Sequence, residues 1–430
     1  MAESPMPPTT LQPTPTVAPT LETAAPLEPR PIRVGAFLTE IAVALAVHGM
    51  ATPDVEDAVY MAARRLGVDA TVNVTPTSVL ITVEDEDFPT TNMRAIPSAE
   101  TDLAVLADLD EILLDVLAGK CNAREGLARI RAVRARPPLY GELTRAFATA
   151  LLAATGGAFF GGGWTEVAAA GALGLFVHVL CEAASRRARV ARLTVFLAGL
   201  GAALGAIAID ALAGPVSVPV VVLAGIVALL PGLSFTVAVS EVASRHLVSG
   251  SARLVGAIVT LLTLSFGVAL GLRLGQHALG DWTRAATPVG DIGAAIALLA
   301  AASSMVVAFS ARLRHAPVVI GAGLTGFLTA NAAVTYLGPE LGAFAGAIAV
   351  GVVANIYARL ANRPAALALL PGVLLLVPGS LGFRSVTAFM QTNAIEGVQG
   401  AFTMAIVATG LVVGLLTANV ITPSRVMTTE

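Results

Sequence analysis

Two membrane-length apolar stretches of this chain are each interrupted by a Pro-Gly step, and the two steps lie 147 residues apart. Leu230-Pro231-Gly232 falls within 220–235, and Val377-Pro378-Gly379 within 367–381. Proline removes an amide donor and glycine loosens the backbone, so each pair breaks a helix. At membrane depth the freed polar groups must face protein or a water-filled cavity, because lipid cannot satisfy them. Gly250 meets Gly397 and Gly267 meets Gly414 at the same offset. Paired breaks in two halves of a membrane chain point to a transporter's substrate site.

The composition supports a membrane setting. The chain is 56% hydrophobic and 13% charged, with mean hydropathy +0.79, against roughly 25% charge in soluble domains. Most acids lie before residue 140, and long apolar stretches dominate after 143. Lys120 is the one lysine among 26 basic residues, so there is no lysine-rich tract for nucleic acid. Residues 1–34 are Pro/Thr-rich, carry no apolar leader, and read as a disordered tail. Residues 35–140 read as an α/β domain, with helices around 37–47, 52–66, 103–117 and from Asn122-x-x-Glu125, and a hairpin around Thr75-Pro76-Thr77. Thr52 followed by Pro53 is expected to cap the second helix. Cys121 and Cys181 fall in different compartments, against a disulfide.

Beyond the soluble part the pattern predicts an α-helical integral membrane domain of about ten spans. They lie near 146–163, 166–184, 193–212, 215–233, 255–274, 288–309, 317–336, 340–358, 364–380 and 401–420. This divides the chain into a first module (141–285), a second (286–422) and a tail (423–430). With the soluble domain cytoplasmic, inner loops hold ten arginines (186, 187, 189, 192, 245, 253, 312, 314, 359 and 363) and outer loops three (273, 284 and 384). Both termini are then cytoplasmic in a plasma-membrane protein. Five helices per half make the repeat a 5+5 inverted one. This reading puts Pro231-Gly232 near the inner end of helix 4 and Pro378-Gly379 near the outer end of helix 9. The stretches after them, 236–254 and 382–400, read as re-entrant or interfacial. Trp164 and Trp282 belong at an interface.

Ionisable groups within the membrane are site candidates because burying them is costly. Asp210 ends helix 3, as a coupling carboxylate or a surface residue. Asp291 opens helix 6, as a site or a first-turn acid. Glu166 follows three glycines and has the same alternatives. Glu241 is either a gate or proton carrier beside the break, or half of a surface pair with Arg245. Asn331 and Asn355 are substrate-cavity amides or interhelical ties. The run Glu84-Asp85-Glu86-Asp87 reads as a solvated turn. The five histidines lack metal-ligand spacing, and neither a metal nor a cofactor is implied. No Walker A, HExxH or GxSxG sequence occurs, which disfavours ATP-driven pumping and the common hydrolases.

From residue 36 to 422 the chain resembles the threonine/serine exporter family. The resemblance rests on Ala46-Val47-His48-Gly49-Met50-Ala51, Leu66-Gly67-Val68, Val74-Thr75-Pro76-Thr77 and Phe160-Gly161-Gly162. It continues through Leu230-Pro231-Gly232, Ser240-Glu241, Val248-Ser249-Gly250-Ser251-Ala252-Arg253-Leu254 and Leu376-Val377-Pro378-Gly379-Ser380-Leu381-Gly382. Glu241 and Glu166 stand where the family pattern has aspartate. The resemblance implies export of threonine and serine driven by the proton gradient, not an enzyme. Glu241, Asp210, Asp291 and Arg253 become coupling candidates, and Pro231, Gly232, Pro378 and Gly379 shape the cavity. Implied partners are the small amino-acid substrate, protons and the bilayer, with a homo-oligomer compatible. Small dicarboxylate export is the rival within transport. A membrane-anchored hydrolase, or a soluble domain that senses amino acids, are readings of other classes.

Overall fold

The computed structural model describes residues 30–84, 89–97, 100–279, 286–376, 378–390 and 393–423. The expected tail through residue 29, most of the acidic run, Trp282, Arg284, Val377 and the last residues lie outside the described residues.

The N-terminal part comprises α1 (Arg30–Val47), α2 (Thr52–Arg65), strands β1 (Ala70–Val74), β2 (Ser78–Val83) and β3 (Thr90–Ala95), then α3 (Leu103–Leu117) and α4 (Ala123–Arg134). The strands form an antiparallel sheet in the order β1-β2-β3. The hairpin is as expected, with Val74 opposite Val79. β3 was not foreseen, because its residues are mostly exposed and lack an alternating apolar face. α1 starts at Arg30, earlier than its apolar periodicity showed. The Asn122–Glu125 capping box is present in both directions, at 3.0 and 3.2 Å. Thr52 is not the cap of α2; that position is Ala51, which has no side-chain bond. The Thr52 hydroxyl is committed instead to Ser249, 2.8 Å away.

Phe37, Leu38 and Ile41 of α1 pack with Val59, Ile81, Leu106 and Leu113 in a core that is fully buried or nearly so. That core continues into Met305, Val306, Phe309, Val319 and Leu367. The N-terminal part is therefore seated directly on the helical bundle.

The bundle runs α5 (Glu142–Phe159), α6 (Trp164–Ser185), α7 (Ala188–Ala191), α8 (Thr194–Leu212), α9 (Val218–Gly225), a 3-10 turn (Val227–Leu229), α10 (Gly232–Ala243) and α11 (Leu247–Leu279). It continues with α12 (Gly290–Ala308), α13 (Ala316–Leu337), α14 (Pro339–Ala361), α15 (Ala366–Leu374), α16 (Gly379–Met390) and α17 (Ala394–Ile421). Among the described residues eight helical stretches are long and apolar enough to span a membrane. A ninth arises if α9 and α10, bent by 47° across their break, are one span. α5, expected as the first span, is not among them; its first turns carry Glu142 and Arg145. The molecule is a multi-pass membrane protein.

The two helix sets pack in matching order. α8 lies along α11 as α14 lies along α17, α6 meets α9 as α13 meets α15, and α10 meets α11 as α16 meets α17. The sets cross-contact through α10 with α17 and α11 with α16. The repeating glycines explain the close pairs. A Cβ on Gly267 would lie 2.3 Å from the Phe196 carbonyl oxygen, and one on Gly414 2.6 Å from that of Phe344. Only glycine permits such approach of two helix backbones.

One expectation is corrected. The two Pro-Gly steps are not at opposite ends of the bundle: a Cβ on Gly379 would sit 3.2 Å from Gly232 Cα, so the breaks touch. The stretches after them form α10, α16 and the starts of α11 and α17, packed against one another. The chain runs toward the N-terminal part after the first break, where α10 ends beside α2. It runs away from it along α15, which begins beside α3 with Arg363 2.9 Å from Glu111. Each broken helix covers half the bundle from its own end, so both breaks fall in the interior.

Candidate functional site

At each break a helix starts inside the protein. Leu230 is extended and Pro231 non-helical, and the first helical bond of α10 is Phe235 N to Pro231 O at 2.9 Å. In the second copy Gly382 N donates to Pro378 O at 3.1 Å. The first amides of α10 and α16 therefore have no intrahelical acceptor. They open onto a cavity of about 590 Å³ whose lining includes Gly232, Leu233, Ser234, Gly379 and Ser380. A helix N-terminus attracts anions through its free N–H groups and its dipole. Phe159 and Phe327, ring centroids 5.2 Å apart, supply apolar wall.

The same cavity is lined by Arg145 and Thr149 of α5 and His178 of α6, and reaches Thr101 of the N-terminal part. Arg145 Nη2 donates to Glu142 Oε2 at 2.9 Å. Arg145 Nε and His178 Nε2 are buried without a hydrogen bond to the protein, and His178 Nε2 lies 3.7 Å from Glu142 Oε1. Sequence reasoning missed both residues. Arg145 falls at the edge of an apolar stretch and His178 is an isolated histidine, so nothing local marked them. Although histidine spacing showed no metal set, the fold places ligand atoms of Glu142, His178 and Glu182 within 4.8 Å of one another.

Glu241 is the most constrained of the expected residues. Its side chain is 1% exposed. It accepts from Ser249 Oγ at 2.9 Å, from Arg253 Nε and Nη2 both at 3.2 Å, and from the Thr52 amide of α2 at 3.3 Å. Since Ser249 donates to Glu241, the Thr52 hydroxyl donates to Ser249. A second tie joins the same elements, with His246 Nε2 3.1 Å from Glu56 Oε2. The surface pair with Arg245 does not form. Arg245 is exposed and sits in a left-handed turn at φ 65° just past the end of α10. Glu241 instead meets Arg253, another of the candidates, as a docking point for α2, away from the cavity wall.

The other candidates separate from the cavity. Asp210 Oδ1 accepts from Val216 N at 2.9 Å and closes the turn between α8 and α9. Asp291 is exposed in the first turn of α12. Asn331 is exposed on α13. Asn355 is buried, and its Nδ2 donates to Asn419 Oδ1 at 2.8 Å and Thr422 O at 2.7 Å, tying α14 to the end of α17. Glu166 accepts from Gly163 N at 2.8 Å and Ser217 N at 3.0 Å, stapling one turn to the start of α9.

Comparison with known proteins agrees with this architecture. A family model described as a threonine/serine exporter matches residues 36–275, and a second threonine/serine exporter model matches 291–421. An uncharacterized protein of Schizosaccharomyces pombe is 25% identical over 247 residues, covering 55% of this chain and 30% of that protein. A second from the same yeast is 24% identical over 349 residues, covering 75% and 44%. Pheromone-regulated membrane protein 10 of Pichia sorbitophila is 23% identical over 337 residues, covering 75% and 34%. The chain spans less than half the length of these relatives. No solved structure matches it. With two glycine-matched helix sets, a cavity between two broken helices and models covering both modules, the chain belongs to the threonine/serine exporter family.

Proposed function

We propose that this protein is a secondary exporter of threonine and serine that works by alternating access between two inverted five-helix modules. The observation that carries the reading is the contact of the two breaks, Gly379 against Gly232, over a cavity lined by the first residues of α10 and α16. Two helix N-termini directed at one space favour a carboxylate there. The cavity also has the size of small-molecule sites. The matched packing, with broken helices running in opposite directions relative to the soluble part, supports the inverted relation. Placing residues 35–140 and both termini in the cytoplasm follows from the arginine distribution, and puts the exporter in the plasma membrane.

In this reading the proton acts at Glu241. Protonation removes the charge that Arg253, Ser249 and the Thr52 amide converge on, and so loosens α2 from α10. α10 starts in the cavity at Gly232, so a shift at one end is felt at the other. Asp210 and Asp291 are set back from this route, and the soluble part serves as gate, neither as catalyst nor as sensor. Threonine efflux from preloaded proteoliposomes, with and without a proton gradient, tests the scheme. Efflux indifferent to collapse of the gradient removes the coupling. Export of small dicarboxylates is the second reading, favoured by one fact: the described cavity lining contains Arg145 and no carboxylate.

A further inference from the structure

The arginines of the bundle divide into those with an acid and those without. Arg253, Arg312 and Arg363 are paired with Glu241, Asp108 and Glu111. Arg186, Arg187, Arg189 and Arg192 are different. They fall within seven residues at the corner that joins α6 to α8 through the single turn of α7. All four are exposed, and none makes an ion pair among the described residues. No acid occurs between Glu182 and Asp210. Glu182 stands one helical turn before Arg186, the spacing of an i,i+4 pair, yet its carboxylate is turned elsewhere. It lies beside Glu142 and His178, the three offering ligand atoms within 4.8 Å of one another. Glu142 opens α5, directly after the N-terminal part. The corner is therefore at the end of the bundle that carries that part.

The flanks of the corner give its depth. α6 is long and apolar enough to span a membrane, and it turns Phe176 and Val179 outward, 48% and 56% exposed. That face meets hydrocarbon. Arg186 follows Val179 by seven residues, or about 10 Å of helix. The headgroup layer is about 5–8 Å thick on each side of the hydrocarbon, so the corner stands within it. Apolar surface resumes directly after Arg192, with Leu193 52% exposed. Four like charges this close repel one another, and no acid of the protein relieves them. What lies at this depth outside the protein is the layer of lipid phosphates. We propose that the corner between α6 and α8 is a docking surface for anionic phospholipid headgroups, held by the charges of Arg186, Arg187, Arg189 and Arg192, with Val179 and Leu193 against the acyl chains. Orienting the chain requires only that a loop be basic; docking requires arginines that are exposed and unpaired, as these are. The proposal is independent of what the cavity transports.

The test is titration of the full-length protein in detergent with phosphatidylglycerol and with phosphatidylcholine of the same acyl chains, the bound lipid counted by native mass spectrometry. Phosphatidylglycerol should bind at least about tenfold more tightly, and the preference should shrink as ammonium acetate is raised, because exposed charges are screened. Each arginine near an anionic surface is worth about fivefold in affinity. Arg189→Gln should therefore cut the preference about fivefold, and glutamine at all four positions should cut it at least about tenfold. Lysine at all four should keep it within about threefold of the wild type, because the charge remains. Arg273→Gln, at an exposed position on α11 away from this corner, should leave it unchanged. Arginines here also help to orient the chain, so if the four-glutamine variant fails to insert, Arg189→Gln and the four-lysine variant decide. Equal binding of the two lipids overturns the proposal, as does an undiminished preference in Arg189→Gln or in the four-glutamine variant. It also falls if the four-lysine variant loses the preference, or if Arg273→Gln lowers it as much as Arg189→Gln. Displacement of phosphatidylglycerol by an equal concentration of glycerol 3-phosphate would make the corner a site for soluble phosphates and refute lipid docking. Displacement by an equal concentration of an RNA oligonucleotide would refute it in favour of a nucleic-acid surface.

Discussion

Replacing Glu241 by glutamine should undock α2 while leaving the rest of the protein folded. The carboxylate sits at the far end of α10, a 12-residue helix whose length is about 18 Å at 1.5 Å per residue. It is the shared acceptor for three residues on two elements: Thr52 of α2, and Ser249 and Arg253 at the start of α11. Glutamine keeps the shape but removes the charge and turns one acceptor into a donor. Breaking a buried ion pair by removing one partner costs about 3–5 kcal/mol. Arg253 keeps 26% of its side-chain surface in contact with solvent, so part of its charge is re-solvated and about 2–3 kcal/mol is the figure to expect. The Glu56–His246 contact remains to hold α2 loosely. Local opening of α2 should then rise by about 30- to 150-fold, at 1.4 kcal/mol per decade. Hydrogen exchange on the full-length protein reads this directly, as faster exchange in α2 with α3 and α4 unchanged. Exchange in α2 within threefold of the wild type would refute the docking role. A uniform rise across all helices would mean that Glu241 stabilises the whole fold instead. Threonine efflux by the same variant should be slowed.

Gly379→Val should jam the cavity, because its Cβ meets Gly232 and Leu230 at 3.2 Å; overpacking costs about 1–3 kcal/mol, and efflux should fall at least about tenfold, whereas wild-type flux would show the breaks do not need close contact. Asn355→Ala leaves the partners on Asn419 and Thr422 unmatched and should lower thermal stability by about 1–3 kcal/mol with KM unchanged; a raised KM would return Asn355 to the substrate path. Asp54 carries a pH-dependent strain, since burial and then the Asp57 charge push its carboxyl up to about 6 from 3.8 against the opposing pull of His246. More than a third of its surface is open to solvent, so water reduces the size of the effect. A raised folded value favours the folded state below about pH 4 and loses that advantage as the pH rises through about 6. Asp54→Asn should therefore raise the unfolding midpoint at pH 7.5 and leave it unchanged at pH 4, and an equal rise at both would exclude titration as the cause.

Local features were readable in the chain. The Asn122 capping box, the Thr75–Ser78 hairpin and helix α3 follow from nearest-neighbour chemistry that any context preserves. The span positions follow from apolar runs long enough to cross lipid. α5 fell short because its first turns carry Glu142 and Arg145, which lower the apolarity of an otherwise Ala- and Leu-rich helix. β3 escaped notice because an exposed edge strand has no buried face to pattern. At the site, the importance of Glu241 was visible from its place after the break, while its partner was assigned wrongly. Helical periodicity puts Arg245 one turn away, but the left-handed turn at Arg245 ends the helix and admits Arg253 in its place.

What the amino-acid sequence determined alone is the existence and spacing of the breaks. Pro231-Gly232 and Pro378-Gly379 carry the signal for the breaks, although Pro371-Gly372 stays within α15, and the repeat of 147 residues carries glycines to the points where helices cross. The tertiary structure alone decided what those breaks face. Residues 232 and 379 touch, Thr52 reaches Glu241, and Arg145 and His178 converge on one cavity because packing closes contacts between residues far apart in the chain. Hydrogen-bond partners and burial are properties of those long-range contacts. The broken helices were therefore legible from the sequence, and the polar site between them was not.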